Sequence, residues 1–290
     1  MGNDENGQQA ELIAAVLGLG FLNLFSRKCK EQCMAEDLHF ASYPSLRDVP
    51  VLITGGATGI GAAMVEEFAA QGGRVAFLDV DEASAAKLIE SIKSRAHAPL
   101  FLRCDITDIP ALRAAIAKAE EELGPIRVLV NNAANDDRHN LAEVTPEYWD
   151  QRMDVNLRHH FFAAQSVVAG MTRAGGGSII NMSSIAWMIP SKGLPAYVTA
   201  KAGIVGLTRT LSRELGPANI RVNAISPGAI MTERQRRLWM TPEYIADIMR
   251  SQSLKRELVP HDVARLTLFL ASADSSAITG QNFVIDGGWV

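Results

Sequence analysis

Cysteine is scarce, with three residues in a chain of 290, at positions 29, 33 and 104. So few cannot build a disulfide framework. Neither a His nor a second Cys pair stands at metal-ligand spacing from Cys29 and Cys33. All three read as ordinary thiols of a reducing cytoplasm, and no metal is expected. An excess of one charge is also lacking. The 28 Lys and Arg against 32 Asp and Glu leave a net charge of −4, which gives no global attraction to nucleic acid or anionic lipid. The apolar run Leu12 to Phe25 spans 14 residues, short of the roughly 20 that a membrane-crossing helix needs. Asp4 and Glu5 precede it where a secretory signal would carry basic residues, so no membrane partner is expected. A short amphipathic anchor is the alternative for this run. Internal repeats, low-complexity tracts and Pro/Ser-rich linkers are absent too.

What is present suits one large α/β domain. Residues 1–42 read as an extension outside the fold, and Met34 offers an alternative start that would put residues 1–33 upstream of the true protein. From residue 43 to residue 290 strand-like and helix-like segments alternate. β-rich runs fall at 50–54, 74–79, 99–105, 126–132, 178–184 and 220–226. Helical patterns fall at 60–71, 82–95, 107–122, 146–171 and 195–215. Short apolar strands between helices of this length predict βαβ units, a doubly wound parallel sheet of Rossmann type with helices on both faces. Residues 229–260 are polar and less regular, an insertion that reads as a substrate lid.

The sharpest local signal is Thr54-Gly55-Gly56-Ala57-Thr58-Gly59-Ile60-Gly61, between the first strand and the first helix. Glycines let a backbone turn tightly and approach a pyrophosphate, and the helix start offers it free N–H groups. No Lys follows, which excludes a P-loop. Asp79 closes the second strand at the distance expected for a carboxylate that bonds the ribose diol of a dinucleotide. It would repel a 2′-phosphate, and Val80, Asp81 and Glu82 bring no cation. NAD is therefore expected over NADP, and helix capping is the alternative use of Asp79.

Tyr197 and Lys201 stand four residues apart in a helical segment and so share a face. A phenol near pKa 10 is a poor base at neutral pH, and a nearby ammonium favours its ionised form. Ser184 lies upstream at the end of a strand, and Asn156 before it. With the glycine turn, Asp105, Asn131-Asn132-Ala133-Ala134 and Pro227-Gly228 with Thr232, this order of motifs resembles the short-chain dehydrogenase/reductase family over about residues 44–290. Ala134 stands where that family more often has Gly.

The resemblance implies roles. Tyr197 would be the acid/base, Lys201 would lower its pKa and bond the nicotinamide ribose, and Ser184 would hold the reacting oxygen. Asn156 would position a water. Gly55, Thr58, Gly59, Ile60 and Gly61 would cradle the pyrophosphate, Asp79 would hold the ribose, and Asp105 and Ile106 the adenine. Asn132, Pro227, Gly228 and Thr232 would line the nicotinamide end. Ser183 is the competitor of Ser184. A homotetramer built through residues 146–171 and 195–215 is also implied.

Asn135-Asp136-Asp137-Arg138-His139 follows the fourth strand, at the carboxyl edge of a parallel sheet. Five polar side chains suit a polyhydroxylated ligand, or else form a solvated loop. This stretch, VNLRHHFF, TERQRRLWMTPE and the tail GQNFVIDGGWV are similar to bacterial aldose 1-dehydrogenases of the family, the D-xylose type in particular. The expectation is an NAD-dependent cytoplasmic enzyme that oxidises the anomeric hydroxyl of a free sugar to an aldonolactone. Asn135, Asp136, His139 and Trp187 are its candidate sugar contacts beside Ser184 and Tyr197. The rivals are a carbonyl or 3-oxoacyl reductase and a non-catalytic dinucleotide sensor. Arg234, Arg236 and Arg237 read as solvated, with attraction of an anionic substrate as the alternative. His159 and His160 read as polar packing.

Overall fold

Strands apolar at successive positions need cover on both faces, and the computed structural model, which describes residues 40–290, supplies it. The apolar run at 12–25, Cys29, Cys33 and Met34 lie outside the described residues. The strands are β1 (Pro50–Thr54), β2 (Arg74–Asp79), β3 (Leu100–Arg103), β4 (Val128–Asn131), β5 (Gly177–Met182), β6 (Ile220–Pro227) and β7 (Asn282–Ile285). They form one sheet in the order β3-β2-β1-β4-β5-β6-β7, every neighbouring pair parallel. Val51 and Ile53 point to one face and Leu52 to the other.

On the first face lie α1 (Gly59–Ala70), which buries Met64, Val65 and Phe68, and α9 (Pro260–Ala271), which buries Val263, Ala264 and Leu268. The second face holds α3 (Ile109–Leu123) through Leu112 and Ile116, and α5 (His159–Arg173) through Ala163, Val167 and Met171. The helix α6 (Pro195–Leu215) adds Leu211 to that side. Side chains as apolar as these contribute about 1.5–3 kcal/mol each when fully buried. A sheet covered on both faces explains strands that read as continuous apolar runs.

Five local expectations need correction. The helix α2 (Glu82–Ser91) stops before residue 95, with the Ser91 hydroxyl donating to Leu88 O at 2.7 Å. The stretch 146–171 is not one regular helix. It comprises α4 (Pro146–Met153) and α5 joined by a π-turn at Asp154–Arg158, the kind of local widening that accumulates at functional sites. The strand β5 ends at Met182, so Ser184 lies beyond it, at the head of a 3₁₀ turn. The segment 229–260 is more ordered than its polarity suggests. It holds α7 (Glu233–Leu238) and α8 (Pro242–Ser251). Thr232 accepts the Gln235 N–H at 3.1 Å and Thr241 that of Tyr244 at 3.2 Å, two caps written as Thr three residues ahead of the amide they bind. The strand β7 was not foreseen at all.

β1 lies between β2 and β4, so the chain leaves it toward one edge and returns on its other side. That reversal opens a crevice beyond the carboxyl ends of the two strands, the place where such sheets bind ligands.

Candidate active site

The first wall of the crevice is the glycine turn. Gly55 N–H donates to Leu78 O at 2.7 Å, and Gly55 and Gly59 take left-handed φ of 67° and 58°. A Cβ on Gly61 would lie 1.9 Å from Gly55 O, so the helix start can sit this close to the turn only as glycine. Thr58 caps α1 without a side-chain hydrogen bond, and no acid occupies the first turn. The leading N–H groups of α1 are thus left to an external anion. Asn132 ties the turn to β4, its Nδ2 donating to Thr54 O at 3.0 Å and Gly55 O at 2.9 Å.

Asp79 ends β2 beside this turn. Its Oδ2 accepts Ala57 N–H at 2.9 Å, and its Oδ1 accepts Val80 N–H at 2.8 Å and Asp81 N–H at 3.1 Å. Capping of α2 falls to Asp81, which accepts Ser84 N–H at 3.0 Å, so Asp79 has no helix to cap. Exposed Asp105 sits beyond β3, bonded to Thr107, with Ile106 buried beside it. The unopposed helix start, the clash a Cβ would make and the carboxylate at the end of β2 together fit a dinucleotide.

The second wall carries the reacting side chains. Ser183 is buried and donates to Lys201 O at 2.7 Å. Ser184 is half-buried instead, its Oγ accepting Ala186 N–H at 3.1 Å, and its hydroxyl favours ionisation of the Tyr197 phenol. One helical turn on, buried Lys201 donates from Nζ to Met182 O at 2.7 Å, with Nζ 5.5 Å from the Tyr197 ring centre. Burial brings the Lys201 ammonium down to about 7, with the Asp136 carboxylate pulling the other way. The same two influences act in concert on Tyr197: burial, then Asp136, push the phenol up, against the Ser184 hydroxyl and the Arg234 guanidinium. A phenol lowered by lysine is therefore not what this cleft holds by itself. Burial raises the phenol, and the ammonium is committed to a backbone carbonyl.

Asn156 sits in the π-turn, fully buried. Its Oδ1 accepts Asn135 N–H at 2.8 Å, and its Nδ2 donates to Asn135 O and Arg152 O, both at 3.0 Å. It therefore clamps the loop after β4. His159 Nε2 lies 3.0 Å from Ala133 O, and His160 Nδ1 3.4 Å from Asn181 Oδ1. Burial holds His159 down to about 3 and His160 well below its ordinary range, so both are neutral packing.

The loop 135–139 departs most from expectation. Asn135 Oδ1 accepts Asp137 N–H at 2.8 Å. Asp136 is bonded through one oxygen to Arg234 and through the other to Gln235. Asp137 takes the second amino group of Arg234 at 2.5 Å and faces Arg152 at 3.7 Å. Arg138 lies 4.5 Å from the Trp239 ring and 5.5 Å from that of Tyr244. Asp136 thus serves α7 rather than an open sugar site. Arg234 is ion-paired rather than solvated, whereas Arg236, though paired with Glu257, and Arg237 stay exposed as expected. The Arg234 pairing could not be read from sequence, because its partners lie nearly a hundred residues apart. His139 stays directed at the cleft wall: Nδ1 is 3.0 Å from the Tyr148 hydroxyl and Nε2 is buried without a partner, like Nε1 of Trp187. The segment's base touches the cofactor cradle, since a Cβ on Gly59 would lie 3.2 Å from Thr232 Cγ2. Gly228 N–H donates to Ile285 O at 2.9 Å, fixing the turn after β6.

A parallel sheet with this cradle and a Ser, Tyr and Lys gathered beside it defines a dinucleotide-dependent oxidoreductase. A family model described as enoyl-(acyl carrier protein) reductase matches residues 55–290. A probable galactose dehydrogenase of Rhizobium meliloti is 54% identical over 86% of this chain and 97% of its own length. A D-xylose 1-dehydrogenase of Caulobacter vibrioides is 49% identical over 86% and 98%. The crystal structure of a 3-oxoacyl-[acyl-carrier protein] reductase from Brucella melitensis superposes with a TM-score of 0.80 at 32% identity, covering 88% of this chain and 98% of that one. The chain belongs to the short-chain dehydrogenase/reductase family, whose members bind a nicotinamide dinucleotide.

Proposed function

We propose that the protein oxidises the anomeric hydroxyl of a free aldose to an aldonolactone, with NAD as hydride acceptor. The observation that carries this reading is the gathering of Ser184, Tyr197 and Lys201 beside the glycine cradle, in a chain about half identical to two sugar dehydrogenases. A bound dinucleotide would supply the acceptor for the hydride that leaves the anomeric carbon. Tyr197 Oη takes the hydroxyl proton as the carbonyl forms, and Ser184 Oγ holds the same oxygen in place. Lys201 would reach the nicotinamide ribose and, drawn off Met182 O, bring its ammonium to bear on the Tyr197 phenol. Gly55, Thr58, Gly59, Ile60 and Gly61 would hold the pyrophosphate, Asp79 the adenosine ribose, and Asp105 with Ile106 the adenine. Asn132, Pro227, Gly228 and Thr232 line the nicotinamide end. His139 and Trp187, with their buried unpaired nitrogens, bond the non-reacting hydroxyls. Asn135 and Asp136 shape the wall behind them.

Preference for NAD rests on Asp79, whose carboxylate would repel a 2′-phosphate, while Arg103, its partner in β3, is ion-paired to Glu82. A cytoplasmic homotetramer belongs to the same reading. Its support is the sparse cysteine and the exposed apolar Phe161 on α5 and Val284 on β7. Among the described residues no helix is long and apolar enough to cross a membrane.

Initial rates of NADH formation across free pentoses, hexoses and 6-deoxyhexoses test the activity, with Tyr197→Phe as the blank. Turnover should be abolished in that variant, and Asp79→Ser should lose most of its preference for NAD over NADP. Silence on every sugar, with NADPH-dependent reduction of ketones or acyl thioesters, would establish the reductase instead. Dinucleotide binding without any turnover would make it a sensor.

A further inference from the structure

Both carboxylate oxygens of Asp136 are held from α7, one by Arg234 and one by Gln235. Arg234 spans two adjacent acids, taking Asp137 with its other amino group at 2.5 Å. Neighbouring Arg138 is not available for this work, because it lies against Trp239 and Tyr244, 4.5 Å and 5.5 Å from their ring centres. Two clasps thus seat the segment after Thr232 on the loop after β4. One is ionic and one aromatic.

We propose that Arg234 is a positioning residue of the reaction, coupling the seating of α7 to the acid–base pair by neutralising Asp136. The proposal rests on the reading of Tyr197 as the base. Asp136 acts on both reacting groups, opposing ionisation of the Tyr197 phenol and favouring the Lys201 ammonium, while Arg234 acts on Tyr197 in the opposite sense. With α7 lifted, the Asp136 carboxylate would stand uncompensated beside a phenol that must give up its proton. With α7 seated, the guanidinium cancels that charge as the substrate is covered. The same small helix therefore closes the site and readies the base.

The other charged groups around this pair do not replace Arg234. Arg152, from α4, faces Asp137 at 3.7 Å and not Asp136. Lys201, from α6, is turned to Met182 O. His159 and His160, from α5, are neutral, and His139 is bonded to Tyr148. Side-chain exposures of 39% for Arg234 and 25% for Asp136 leave the pair only partly screened by water.

The test is the pH dependence of kcat/KM for sugar oxidation, with NAD saturating and D-galactose and D-xylose as probes. Arg234→Gln should move the midpoint of the rising limb to higher pH by about 0.5–1 unit. Asp136→Asn should move it to lower pH by a similar amount, and the double variant should return it to the parent value. Arg234→Lys keeps the charge but cannot span two acids, so it should raise KM with the midpoint unmoved. The same shifts are read without turnover in the tyrosinate absorbance that each variant loses when Tyr197→Phe is added, NAD present. A midpoint that stays put in Arg234→Gln while activity falls overturns the coupling and leaves only a structural clasp. So does a double variant that fails to restore it. A Tyr197→Phe protein that still turns over overturns the base assignment and this proposal together. A dead Tyr197→Phe with an unmoved Arg234→Gln profile overturns this proposal alone.

Discussion

His159 shows how one buried side chain writes a pH dependence into the whole fold. It is fully buried between α5 and the loop after β4, bonded to Ala133 O at 3.0 Å, and burial holds its pKa to about 3. In the unfolded chain the same imidazole titrates near 6.5. Between those values the unfolded state binds a proton that the folded state refuses. Stability from this residue is thus complete above pH 6.5 and is lost as the pH falls toward 3, by ~1.4 kcal/mol per unit. At pH 5 the loss should reach about 2 kcal/mol. Urea unfolding at pH 7 and pH 5 measures it directly. In His159→Gln, which can still donate to Ala133 O, the gap between the two pH values should narrow by about that amount. An unchanged gap would mean that His159 is not neutral in the fold. The sequence shows two adjacent histidines and no metal partners, enough to read packing, but the direction of a pKa shift depends on depth of burial, which residue types alone do not reveal.

The π-turn between α4 and α5 makes the corresponding argument for an element. One extra residue in that turn lets Asn156 reach across to Asn135, where two hydrogen bonds of 2.8 and 3.0 Å fix the loop that leads to Asp136 and His139, while a third, to Arg152 O, holds the side chain to α4. Asn156→Ala should leave the Asn135 amide and carbonyl and the Arg152 carbonyl short of a partner. The cost is about 2–3 kcal/mol of stability at the usual net value per bond. Because the loop carries Asp136 and His139, KM for the sugar should rise more than stability alone explains, and a variant with unaltered KM would detach the loop from the site. Helical periodicity over 146–171 showed where this element lies but hid the widened turn, since hydrophobic spacing barely changes across one inserted residue. The glycine turn, Asp79 and the Ser-Tyr-Lys order were legible because their spacing is local and their chemistry is narrow. Arg234 was not, because its two acidic partners come from the other side of the crevice and its own neighbours Arg236 and Arg237 disguise it as part of a solvated cluster. Thr232 and Thr241 offered a readable sign that this segment is helical, each sitting three residues before the amide it caps.

At the scale of the molecule, the order β3-β2-β1-β4-β5-β6-β7 decides why these residues meet at all. The cradle follows β1, Asp79 ends β2, Asn132 follows β4, Ser184 lies beyond β5 and Thr232 beyond β6, so five separate elements deliver their side chains to one carboxyl edge. A ligand bound there ties both halves of the sheet together and favours the folded state by mass action. NAD or NADH at a hundred times its Kd should add about 2.7 kcal/mol to the unfolding free energy, seen as a rise in melting temperature that grows with the logarithm of concentration. Gly61→Ala separates this from general stabilisation. Its Cβ would meet Gly55 O at 1.9 Å, forcing α1 away from the turn and spoiling the anion cradle while the strands, buried on both faces, keep their packing. That variant should fold with a lowered melting temperature and show at most about half the stabilisation by dinucleotide, and NADH fluorescence titration should find binding weakened at least about tenfold, the equivalent of 1.4 kcal/mol. A full thermal response in Gly61→Ala would place the dinucleotide somewhere other than this edge, and the functional reading would have to follow it there.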